Sequence, residues 1–116
     1  MKFERELLKG VAPVVVLEIL SRGRMYGYEL SEAVEQRSGN VLSLGRGTLY
    51  PLLYNLEAKG LVVAEWDENE SKRRRRYYSI TSMGKGELAR QKEQWLTLQR
   101  GVAMVFGMMT PGLSPA

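Results

Sequence analysis

Covalent chemistry finds few candidates in this 116-residue sequence. With no histidine and no cysteine, it lacks the commonest general base, a thiolate nucleophile, zinc–thiolate ligands and disulfides. Carboxylates, Lys, Ser, Thr and Tyr remain, but none stands in a catalytic motif. Gly45-x-Gly47 and Gly84-x-Gly86 complete neither a dinucleotide fingerprint nor a phosphate loop. No enzyme activity, metal or cofactor is expected. What the residues do offer is recognition of an anion. Lys72, Arg73, Arg74, Arg75 and Arg76 are consecutive and hold five of the 17 cations in a chain of net charge +4. Adjacent cations repel one another, and a nucleic-acid backbone would relieve that repulsion. Glu65, Asp67, Glu68 and Glu70 lie just before the run and partly neutralise it. Arg46 is a second candidate, at the expected positive end of a helix, where it suits a phosphate or a guanine.

These groups need elements to position them. A hydrophobic fraction of 44% in a chain of this length supports one compact domain with an appended element. Lys2 to Leu20 reads as helical, with Val14, Leu17 and Ile19/Leu20 on its apolar face and a stop at Ser21-Arg22-Gly23. Pro13 marks either a kink in that helix or the first turn of one starting near Val11. A second helix spans Tyr26 to Arg37, and Gly27 early in it permits close approach of another segment. A third runs from about Arg46 to Lys59, with Leu49, Leu52, Leu53 and Leu56 as its apolar stripe. Its opposite side carries Gly47, Pro51 and Tyr54, flanked by Thr48, Asn55 and Tyr50. That outward face has small residues at its start and hydrogen-bonding groups around it, as a reader of the major groove requires.

The period then changes to that of strands at Leu61–Trp66 and Arg75–Ile80, joined by a polar hairpin loop. Thr81 is placed to cap a long helix reaching to about Met109, before Thr110-Pro111-Gly112. The fold class is therefore α+β, mostly α: a winged helix-turn-helix over 1–80, a helix over 81–110 and a disordered tail over 111–116. Another α+β arrangement fits the same composition and period.

Four segments raise the winged-helix reading: Tyr26-Gly27-Tyr28-Glu29-Leu30, Gly47-Thr48-Leu49-Tyr50-Pro51-Leu52-Leu53, Leu56-Glu57-Ala58-Lys59-Gly60-Leu61 and Arg76-Tyr77-Tyr78-Ser79-Ile80-Thr81. In order and spacing they resemble the signatures of the PadR family, over roughly residues 8 to 98. The short length is similar to a subfamily with a single C-terminal dimerisation helix, a multidrug-responsive repressor among its members. The resemblance implies a transcriptional regulator, most often a repressor, that binds an inverted-repeat operator in double-stranded DNA as a homodimer. It implies base or backbone contacts at Arg46, Thr48, Tyr50 and Pro51, and a wing contact at Arg76. The sequence departs from the family at Gly45, often serine, and at Asn69-Glu70-Ser71, where the wing tip is often glycine-rich. A winged helix serving as a protein-interaction or RNA-binding module is the alternative, and the basic groups favour a polyanion over it.

The last helix points to self-association independently of the resemblance. Leu88, Trp95, Val102 and Met109 recur every seven residues, with Gln91, Leu98 and Val105 at the intermediate spacing of a coiled-coil seam. The nine-residue apolar run from Gly101 to Met109 is too short for a membrane span, which needs about 20 residues. Two acids near the N-terminus disfavour a signal peptide, so a cytoplasmic location is expected. The resemblance further implies a pocket at Trp95 for a flat aromatic effector that releases the operator. A tryptophan that only fills the dimer interface fits the residues equally well, and Lys92 and Gln91 make the surroundings more polar than in that relative.

Overall fold

The computed structural model describes residues 1–68 and 74–108. Lys72 and Arg73 of the cation run, Met109 of the seam and the 111–116 tail lie outside the described residues. In chain order the elements are α1 (Arg5–Leu20), β1 (Met25–Tyr26), α2 (Gly27–Arg37), α3 (Arg46–Ala58), β2 (Val62–Glu68), β3 (Arg74–Ile80) and α4 (Ser82–Val105). The three strands form one antiparallel sheet in the order β1-β3-β2. β1 adds a third strand to the expected hairpin, pairing Met25 with Tyr78 and Tyr26 with Tyr77. Two residues are too few to carry a period, which is why the sequence pattern does not reveal it.

The apolar stripes meet in one core. Leu17 and Leu20 of α1, Leu30 and Val34 of α2, Leu49 and Leu53 of α3 and Val62 of β2 are all essentially inaccessible. Leu44, in the α2–α3 loop, joins them while its carbonyl accepts a hydrogen bond from Ser31 Oγ at 3.1 Å. α1 runs unbroken through Pro13, so the proline is interior to the helix. Having no N–H, it leaves the carbonyl of Lys9 without its helical donor. Lys9 is exposed, so water can serve that acceptor.

Helix ends are set by backbone chemistry. α3 stops at Gly60 and α4 at Gly107, both at φ +76, a left-handed conformation that favours glycine. Each end is closed by a long backbone bond, Leu61 N to Leu56 O and Met108 N to Ala103 O, both 2.9 Å. α4 thus ends at a glycine that comes before the Thr110-Pro111-Gly112 breaker. At its start, Thr81 Oγ1 accepts the N–H of Gly84 at 3.0 Å and lies 2.7 Å from the carbonyl of Gly60. One side chain therefore caps α4 and ties it to the end of α3.

Only the first turns of α4 belong to the core, through Gly84 and Leu88. Lys92, Trp95 and Leu96 still lie beside α1, the end of α4 projects beyond them, and the radius of gyration is 16.3 Å against about 13 Å for a compact chain of this length. Among the described residues, no helix is long and apolar enough to cross a membrane.

Candidate nucleic-acid interface

The outward face of α3 is as the periodicity places it. Arg46, Gly47, Thr48, Tyr50, Pro51, Tyr54 and Asn55 are all exposed, while Leu49, Leu53 and Leu56 are buried. α3 is anchored along one stripe, and this leaves its other side rigidly presented. Gly45 is the N-cap and supplies no side-chain acceptor. Its carbonyl takes the N–H groups of Thr48 and Leu49 at 3.1 and 2.9 Å. The amides at the very start of α3 therefore keep their donors for an external acceptor, beside the Arg46 guanidinium. A Cβ at Gly45 or Gly47 would meet nothing within 4 Å, so the approach is open. Pro51 lies well inside the helix, so the carbonyl of Gly47 lacks its intrahelical donor too.

Tyr50 is placed by α2. A Cβ at Gly27 would stand 2.8 Å from Tyr50 Cζ and nearer still to its hydroxyl, so the glycine admits the ring. Gly27, Tyr28, Ser31, Arg46 and Tyr50 line a hollow of about 70 Å³ between the starts of α2 and α3. Tyr28 and Ser31 were not among the sequence-derived candidates. Their signal, aromatic and hydroxyl groups at a helix start, is too common to single them out.

Of the cation run, Arg74 to Arg76 are described, and strand alternation puts Arg74 and Arg76 on one face of β3 and Arg75 on the other. Arg76 Nη2 donates to both carboxylate oxygens of Glu57, at 2.9 and 3.2 Å. Arg74 lies over the Trp66 ring at 4.9 Å, and Arg75 over the Tyr26 ring at 4.4 Å. Arg24 sits over Tyr77 at 4.4 Å and bonds Asp67 at 2.9 Å. Burial at the base of β3 raises the pKa of the Tyr78 phenol, which therefore stays neutral.

The candidate seam divides. Leu88 is buried in the chain's own core, and so is taken out of any partner interface. Gln91 donates to Glu87 at 2.8 Å along its own helix. Trp95, Leu98, Val102 and Val105 are exposed, as are Phe106 and Met108 beyond them. Trp95 and Leu96 face Val11, Val14, Val15 and Ile19 across a groove of about 620 Å³. On its rim, Lys92 donates to Glu18 at 2.6 Å and Arg22 does so at 3.3 Å.

Residues 16–90 match the family model described as the transcriptional regulator PadR-like family. A transcriptional regulator from Clostridium thermocellum superposes with a TM-score of 0.79 at 26% identity, covering 85% of this chain and 96% of that one. A PadR-family transcriptional regulator from Eggerthella lenta superposes at 0.76 with 36% identity, covering 87% and 86%. Transcriptional regulator YqjI of Escherichia coli is 31% identical over 85 residues, 73% of this chain and 39% of that protein. The alignment thus takes in well under half of YqjI. The winged-helix architecture with a C-terminal helix is shared with the solved relatives, whose family is non-enzymatic and DNA-binding. This chain belongs to the PadR-like family of transcriptional regulators, and is a DNA-binding regulator and not an enzyme.

Proposed function

We propose that the chain acts in the cytoplasm as a repressor that binds an inverted-repeat operator as a homodimer, one α3 helix to each half-site. The observation that carries this reading is the division of α3, whose buried leucines fix a face of seven exposed candidate contacts. Two-fold pairing would set two such faces one helical turn of DNA apart, the spacing an inverted repeat presents. The exposed apolar strip of α4 supports that pairing, since a lone soluble domain seldom leaves such a patch in water. The groove at Trp95 supports regulation by a small aromatic effector, which would stack on the indole and shift α4 against α1.

Selection from a pool of random duplexes tests the reading directly. The expected result is a two-fold symmetric sequence whose preferred bases change in Thr48→Ala and Tyr50→Ala, at about 1–3 kcal/mol per lost base contact. No enrichment, or an enriched site without symmetry, would overturn it. With the selected site placed across a promoter, transcription should fall when the protein is added. A rise would overturn the repressor assignment.

A further inference from the structure

The outer face of the sheet holds a ladder of alternating guanidinium and phenol groups. Arg75 lies 4.4 Å from the Tyr26 ring centre, Tyr26 meets Tyr77 edge-on at 5.5 Å, and Arg24 lies 4.4 Å from the Tyr77 centre. Tyr26 also stacks toward Tyr28 at 6.5 Å, and Tyr28 lines the hollow that holds Arg46 and Tyr50. The ladder is therefore continuous with the exposed start of α3. A guanidinium held by its flat face keeps its in-plane N–H donors free. Stacking thus fixes the direction of the cation without using its hydrogen bonds, the preparation a phosphate contact needs. Arg76, on the opposite face of β3, is held instead by two bonds from its Nη2 to the Glu57 carboxylate. Asp67 presents the same chemistry to Arg24, at 2.9 Å with both side chains about half exposed.

We propose that Arg24 and Arg75, aligned by Tyr77 and Tyr26, form a second contact with the phosphate backbone of duplex DNA, and that Asp67 holds Arg24 in the free protein until a phosphate replaces it. The proposal rests on the reading that α3 meets duplex DNA and extends its footprint across β1 to the outer face of the sheet. Phosphate contacts carry no base information, so this strip adds affinity and register without sequence preference.

The test is the salt dependence of binding to a random-sequence duplex and to a selected operator. Arg24→Gln and Arg75→Gln should each lower the slope of log affinity against log salt by about one. Base preference should stay unchanged in both. Asp67→Asn should bind severalfold tighter, a gain that misfolding cannot produce. Wild-type binding with unaltered slopes in Arg24→Gln and Arg75→Gln would overturn the strip and leave the α3 reading standing. Weaker binding by Asp67→Asn would overturn the exchange. A wild-type protein with no affinity for duplex DNA at low salt would overturn both the strip and the reading beneath it.

Discussion

Two glycines in the same helix show how differently one residue type can be used. In α4, a Cβ at Gly84 would press against the carbonyl oxygen of Leu61 and come within 2.7 Å of Ile80 Cγ1. Backbone cannot yield as a side-chain tip can, so the first turn of α4 would have to lift from the end of β3. At Gly86 a Cβ would meet nothing within 4 Å, and the position is exposed. Gly84→Ala should therefore cost about 1–3 kcal/mol of stability through overpacking. Gly86→Ala should add about 0.5–1 kcal/mol by removing a flexible residue from a helix interior. Denaturant midpoints of the two variants checks the pair, and equal shifts would refute the close docking of α4 on Leu61. Gly27 has its use legible in the sequence, early in a helix where a neighbour must come close. The partner that needs the space, Tyr50, is legible only in three dimensions.

Among the elements, those with a long period were readable and those with a short or distant logic were not. The stripe Leu49, Leu53 and Leu56 fixes which side of α3 is buried, so the opposite face follows from helical geometry alone. β1 spans two residues, and no periodicity can be read from two. The pairs that organise the cations join residues far apart, Arg76 to Glu57, Arg24 to Asp67 and Lys92 to Glu18, and only folding reveals them. The last of these pairs joins α4 to α1. The hydrogen bond from Lys92, with Arg22 beside it, holds the Glu18 carboxyl below its ordinary value of 4.5. A carboxyl depressed in the folded state contributes stability fully at pH values above the unfolded value. That contribution disappears as pH falls through the folded one. Glu18→Gln should thus be less stable than the wild type at neutral pH, by at most about 1 kcal/mol for so exposed a pair. The difference should shrink steadily once the pH falls below 4.5. Unfolding curves across pH for both proteins check this, and a gap that persists at low pH would show that Glu18 acts through packing.

At the scale of the whole molecule, the heptad spacing indicates a partner but does not say where self-packing ends and partner packing begins. Folding divides the stripe, because Leu88 enters the chain's own core while Leu98, Val102 and Val105 stay at the surface. Leu98, Val102 and Val105 therefore take no part in the chain's own core, and charge placed at Leu98 and Val102 should spare the fold. Leu98→Glu combined with Val102→Asp is expected to give a folded chain that sediments as a single protomer with its helical content unchanged. DNA binding should then separate into its parts. The affinity of each α3 for a half-site duplex should be preserved, since that face lies on another helix. Affinity for the full inverted repeat should fall by about 10²–10⁴, because the second half-site is no longer bound within the same complex. A double variant that still sediments as two protomers would remove α4 from the pairing surface. A protomer that binds the full repeat as tightly as the wild type would remove two-fold pairing from recognition altogether.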